Sequence, residues 1–160
     1  FLHERVSIRD LVTILETLAD HAETTKDIGT LVERVRESLG RALTQPYRDE
    51  RGQVGVVSLE PELEQALIRS VQSADRAGRL QLPLEETRSL LDRTSQAIQA
   101  ALGQTAQPVL LCSPYLRPYF RAFIERALPH IPVLSYAEVA SAGTVRTLAT
   151  VPQDHAHQTV

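Results

Sequence analysis

Methionine and tryptophan are absent from this 160-residue chain, cysteine and lysine occur once each (Cys112, Lys26), and aromatic residues make up 4%. A single cysteine excludes an internal disulfide framework and every Cys-x-x-Cys redox or zinc pattern. Long apolar runs are missing too: the longest is the tetrad Val109–Cys112, whereas a helix that spans a bilayer needs ~20 such residues. The chain opens on Phe1-Leu2 with no charged segment and apolar stretch behind it, so it carries no leader pattern and reads as an excerpt of a longer protein. An excess of positive charge is also lacking. Seventeen Lys+Arg against twenty Asp+Glu give a formal charge of −3, the wrong sign for holding nucleic acid or anionic lipid by counterion release. The seven glycines are dispersed and form no phosphate-cradling loop. What remains is an ordinary globular mixture, 42% hydrophobic and 23% charged, which predicts a packed core.

The N-terminal third reads as helical. Ser7 and Asp10 suit a first turn, and Ile8, Leu11, Ile14, Leu15, Leu18 and Ala22 recur at steps of three and four, which predicts one buried stripe on a helix to about Ala22. Asp27 can cap a second helix with Ile28, Leu31, Val35, Leu39, Ala42 and Leu43 on one face, ending before Pro46. The polar stretch from Gln45 to Gly52 contains both Pro and Gly and marks a joint. Beyond it, Val54–Leu59 reads as a strand and Glu60-Pro61 starts a helix that ends near Gly78, with a flexible corner over residues 74–79. Pro83 opens a long helix bearing Leu84, Thr87, Leu91, Thr94, Ile98 and Leu102, closed by Gly103 as a left-handed stop. Val109–Cys112 is a strand buried on both faces and the central one. A helix from about Pro118 to Leu128, a strand at Val133–Tyr136 and a final strand at Thr144–Val151 complete the pattern. The expected fold is mixed α+β: a helical subdomain over residues 1–50, a small α/β subdomain with a short mixed sheet flanked by helices over 51–151, and a frayed tail over 152–160.

Few residues invite a reading as chemistry. Ser113 sits where a strand gives way to a helix, yet its neighbours Leu111-Cys112-Ser113-Pro114-Tyr115 are not a nucleophile elbow. Helix capping is the better reading, with a hydrolase using His130 or His21 as base the competing one. Cys112 lies in the most apolar tetrad, where a thiolate is disfavoured. The five histidines make no His-x-x-x-His pair, and the one close pair, His155 and His157, lies in the tail, so neither a metal nor any other cofactor is expected. Glu60, Glu62, Glu64, Glu85 and Glu86 sit near helix N-termini, where the dipole explains them. Arg117, Arg121 and Glu125 are spaced by four beside Tyr115 and form a candidate surface for an acidic partner or a nucleic-acid strand, unless Arg121 pairs with Glu125.

Two stretches go beyond generic pattern. Residues 4–22, from Glu4-Arg5-Val6-Ser7 to Ala22, followed by Thr25-Lys26-Asp27 and Val32-Glu33-Arg34-Val35-Arg36, resemble the helical subdomain of the FlhA family, the export gate of flagellar type III secretion. Pro108 to Pro114, with Arg117, Arg121, Glu125 and then Pro129 to Glu138, is similar to that family's C-terminal subdomain. Injectisome export gates share the architecture; Gly40 to Gln45 and Leu110 to Pro114 lean to the flagellar branch, while Pro118 and the tail after Val151 depart from the pattern.

The resemblance implies a non-enzymatic interaction scaffold: the last two of four subdomains in the cytoplasmic part of a membrane protein that assembles as a nonameric ring beneath the export channel. It further implies contact with other export components and with chaperone–substrate complexes, whose main docking site lies upstream, and no nucleic acid. For the ring, polar residues outside the apolar stripes are the candidates: Arg5, Arg9, Lys26, Glu33 and Arg36. Tyr115, Arg117 and Arg121 are the candidate partner surface, and the Pro46–Gly52 joint is a candidate hinge.

Overall fold

The computed structural model describes residues 7, 10–73 and 79–154. A helical hairpin comes first. Helix α1 (Leu11–Ala22) turns through a polar loop into α2 (Ile28–Ser38), where Asp27 accepts from the Thr30 amide at 2.7 Å as the expected cap. The second helix breaks at Leu39, and α3 (Gly40–Thr44) continues from it into a single 3-10 turn, Gln45–Tyr47. Strand β1 (Val54–Leu59) is followed by α4 (Pro61–Ser73) and α5 (Leu84–Leu102). Strand β2 (Val109–Cys112), α6 (Arg117–Ile124), β3 (Val133–Ser135), α7 (Tyr136–Ala140) and β4 (Val145–Val151) complete the chain.

The four strands form one sheet in the order β3-β2-β1-β4, and every neighbouring pair is parallel. The mixed α and β content is as read from the sequence, but the sheet is not mixed in strand direction. Each strand is separated from the next by a helix, and a helical crossover returns the chain to the same end of the sheet. Among the described residues, antiparallel pairing is confined to an isolated bridge between Arg48 and Val54. Alternation along the strands buries both faces. Val57, Leu59, Leu110 and Cys112 face α4, α5 and α6, while Val54, Val56, Val109 and Leu111 face Leu134, Val139 and Tyr47.

Several local expectations differ from the structure for identifiable reasons. On α5 the buried positions are Leu90, Thr94, Ala97, Ile98 and Ala101, while Leu84 and Leu102 stand 63% and 49% exposed. The covered face is the one that joins Leu90, Ala97, Ile98 and Ala101 to the cluster with Val57, Leu59 and Val151, and Leu84 and Leu102 at the helix ends lie off it. Gly103 ends it in the right-handed region at φ −68, not as a left-handed stop. Pro118 occupies the second position of α6, where its missing N–H breaks no helical bond, so the helix starts at Arg117; it is shorter than expected because it ends at Ile124 in a turn over 125–127. The tail is tethered at its start: the Gln153 amide donates to Glu60 Oε2 at 2.5 Å, Ser89 Oγ donates to Asp154 at 2.9 Å, and Arg93 donates to the Pro152 carbonyl. Residues 155–160, and 74–78 of the expected flexible corner, lie outside the described residues.

Helix α1 carries the largest departure. None of its residues is fully buried; Ile14 and Leu18 pack partly on Val35, Leu39 and Leu43, whereas Leu11, Val12 and Leu15 are 48%, 61% and 57% exposed. Ile28 at the start of α2 is 76% exposed. The stripe read as core is real in sequence but only half of it meets core; Ile8 lies outside the described residues. Among the described residues no helix is long and apolar enough to cross a membrane.

Candidate functional site

In a parallel sheet the strands' carboxyl ends point at a crevice where ligands commonly sit. Here that crevice is occupied by the protein's own charged side chains. Strand β2 runs into Ser113, whose amide donates to Glu64 Oε1 from α4 at 2.6 Å; Tyr136, just after β3, donates its hydroxyl to Glu64 Oε2 at 2.9 Å. Partial burial and the neighbouring Glu64 carboxylate push the Tyr136 hydroxyl well above its usual range, so it is a donor at any physiological pH. The Ser113 hydroxyl accepts from the Leu116 amide at 3.3 Å, capping the turn ahead of α6. Among the described residues no histidine is bonded to it, and His21 Nδ1 lies instead 2.9 Å from the Thr17 carbonyl of its own helix.

Strand β3 ends in a capping box: Ser135 Oγ accepts from the Glu138 amide at 3.3 Å, and Glu138 Oε2 accepts from the Ser135 amide at 2.6 Å. Replacing Ser135 by Ala should cost about 1 kcal/mol in urea denaturation, the usual worth of such a cap.

Onto this edge α2 lays two charged residues of opposite sign. Arg36 Nε sits 2.6 Å from Glu138 Oε1, with both side chains essentially inaccessible. Glu33 receives a forked bond from Arg117 on α6, with Nε 2.8 Å from Oε2 and 3.0 Å from Oε1 and Nη2 2.5 Å from Oε1. Burial raises the Glu138 carboxyl above its ordinary range, and the Arg36 guanidinium opposes that rise. Between the two pairs and the sheet, Gly40 of α3 abuts α7 so closely that an added Cβ would overlap the Glu138 carbonyl oxygen and Ser141 Oγ.

The candidate residues therefore fall into three groups. Arg5 and Arg9 lie outside the described residues, and Lys26 is exposed in the α1–α2 loop. Glu33 and Arg36, expected on a free polar face, are turned inward, because a partner of opposite charge from the C-terminal half meets each of them. Arg117 is buried against Glu33, and Arg121 donates to the carbonyls of Ile131 (3.1 Å) and Pro129 (3.4 Å) with Glu125 at 3.9 Å. Tyr115 alone of the partner-surface trio stays widely exposed, 47%, with its ring centroid 5.8 Å from that of Tyr119. From sequence, Glu64 has only a helix-dipole role and no contact is assigned to Glu138 or Gly40; the Ser135-x-x-Glu138 spacing is a legible signal for one of these contacts, and nothing local marks the other two.

Cys112 is fully buried, and burial together with Glu64 holds its thiol well above the usual range. Iodoacetamide should leave it unmodified in the folded protein and label it on unfolding in urea; rapid labelling of the native protein would contradict this placement. No group of three His, Cys, Asp or Glu among the described residues is arranged to hold a metal ion.

Residues 1–144, nearly the whole chain, match the FHIPEP family. The chain belongs to that family. Its FHIPEP relatives include the flagellar biosynthesis protein FlhA of Escherichia coli, 39% identical over 150 residues that make up 94% of this chain and 21% of the relative. The chain thus spans about a fifth of the length of the curated relatives it matches. Among solved structures, the Shigella flexneri MxiA protein superposes with a TM-score of 0.78 at 31% identity, over 92% of this chain and 46% of that one. The nonameric SctV-C of EPEC superposes with a TM-score of 0.79 at 29% identity, over 93% and 44%. The FHIPEP relatives thus include flagellar biosynthesis proteins, and the structural neighbours include the nonameric EscV cytosolic domain of a type III secretion system.

Proposed function

We propose that the chain is part of the cytoplasmic region of a flagellar type III export gate, serving as a ring-forming scaffold that handles exported proteins and catalyses nothing itself. The observation that carries this reading is the FlhA likeness, which runs through 94% of the chain at 39% identity. The buried charges argue in the same direction: the crevice where a parallel α/β protein would bind a substrate is filled by Glu64, Glu138 and Arg36.

Within that proposal the ring contact is made by the α1–α2 hairpin. Leu11, Val12 and Leu15 form an uncovered apolar patch of the kind that subunit interfaces cover, and Lys26 adds a charge at the loop. Glu33 and Arg36 serve instead to join the helical part, residues 1–50, to the α/β part, residues 51–151. Any hinge motion about residues 46–52 would have to break their two ion pairs. The same region is tied locally, since the Asp49 carboxylate accepts from the Arg51 and Gln53 amides at 2.8 Å and Gly52 takes a left-handed φ of 73.

The test is a chimera. E. coli FlhA in which the matching 150 residues are replaced by this chain should insert, export flagellar proteins and restore swimming. A chimera that accumulates in the membrane with FlhA-like abundance but exports nothing would overturn the flagellar assignment.

A further inference from the structure

The spacing of Arg117 and Arg121 suggested a basic surface for an acidic partner. In the structure Arg117 is matched by the forked bond with Glu33, and Arg121 donates to backbone carbonyls while its side chain stays 32% exposed. What is left beside them is of opposite character. A cleft of about 430 Å³ opens between the N-terminal half of α2 and the start of α6, with Pro114, Pro118, Tyr115 and Tyr119 as its apolar side. The α2 side carries Asp27, Glu33 and Glu37 against one cation, Arg34, which pairs with Glu37 at 3.2 Å. With Glu33 matched by Arg117, the unbalanced charge on the cleft is the Asp27 carboxylate. Its bonds from the Thr30 amide (2.7 Å) and hydroxyl (2.6 Å) hold its pKa below the ordinary range and keep it ionised at neutral pH. Lys26 precedes it but does not line the cleft.

We infer that this cleft docks a basic segment of another polypeptide, an arginine or lysine side chain laid over the tyrosine faces with its charge directed at Asp27. Two tilted tyrosine rings with an adjacent carboxylate are complementary to a guanidinium or ammonium group, which gains from the ring quadrupole and from the charge together. Prolines at 114 and 118 fix a rigid apolar wall for the neighbouring residues of such a segment. Among the described residues the lining offers an acidic segment no unmatched cation, so this cleft favours the opposite partner to the one the arginine spacing implies. The inference stands on this cleft alone and holds whether or not the chain serves in an export gate.

The test uses this chain and a defined probe, the capped pentapeptide Gly-Arg-Pro-Arg-Gly, with its Glu-for-Arg counterpart as control, followed by amide chemical-shift titration at low salt. Shifts should concentrate on residues 27–34 and 115–119 and be absent with the acidic peptide. Asp27→Asn, which keeps a capping side chain, and Tyr115→Leu, at an exposed position, should each weaken binding about three- to tenfold, the range expected for losing one cation–π or charge contact. Shifts that are no larger at the cleft than at Glu85 and Glu86 on α5, equal binding of the acidic peptide, or unchanged affinity in both variants would overturn the proposal.

Discussion

Replacing Arg36 by Met should destabilise the protein by about 3–5 kcal/mol at pH 8, the cost of leaving one member of a buried ion pair without its counter-charge. Methionine fills much of the volume of the arginine stem, so the loss is electrostatic in origin. Glu138 is 0% exposed and already has a carboxyl pushed upward by burial; with Arg36 gone the largest counterweight to that push is lost, and only the Ser135 amide bond and the more distant Arg117 charge still oppose it. The sign of the pH dependence follows. A carboxyl whose folded pKa lies above its unfolded value holds its proton in the folded state over a range where the unfolded chain has released it. Stability therefore falls as the pH rises from the ordinary glutamate value through the raised one. The deficit of the Arg36→Met protein should accordingly be smaller at pH 5 than at pH 8. Adding Glu138→Gln, whose amide oxygen can still accept from the Ser135 amide, should recover most of the loss and flatten the pH dependence. Urea denaturation of native, single and double variants at the two pH values measures all of this.

Gly40→Val should cost about 3 kcal/mol, at the upper end of what overpacking a tight interior produces. The added atoms meet the Glu138 backbone carbonyl, which belongs to α7 and cannot rotate away as a side-chain tip would. Helix propensity alone would predict the opposite sign for filling a helical glycine with Ala, which makes the comparison informative. At Gly103 the backbone is right-handed and the nearest heavy atom to an added Cβ is 3.5 Å away. Gly103→Ala should therefore be neutral or stabilise by about 0.4–1 kcal/mol. Thermal melts of Gly40→Val and Gly103→Ala displaced in opposite directions would establish that close approach of α3 to α7, not glycine content, sets the effect.

Much of the architecture was written locally. The β-branched run of β1, the apolar tetrad of β2 and the position of β4 follow from short-range pattern, and Asp27 announces the start of α2. The parallel direction of every strand follows from the alternation of strand and helix along the whole chain, and from no strand taken singly. What could not be read locally depends on distant partners. An arginine on an amphipathic helix is assigned to solvent, and nothing around Arg36 says that Glu138 will meet it. Glu33 finds Arg117 only 84 positions further along the chain. Helix α1 differs in the other direction: its apolar period is legible, but a period records only that a face seeks cover, and among the described residues Leu11 and Leu15 stay about half exposed, 48% and 57%. Charge spacing on α6 likewise does not reveal that Glu33 and backbone carbonyls engage its two arginines.

The scaffold reading stands or falls on whether the uncovered hairpin face joins copies of the protein. The direct measurement is sedimentation velocity on EPEC SctV-C carrying this chain in place of its matching segment, with and without Leu11→Asp and Leu15→Asp. The native graft should sediment as a nonamer-sized ring, and the double variant as a folded monomer. Rings that persist unchanged in the double variant, or a native graft that stays monomeric, would contradict the account.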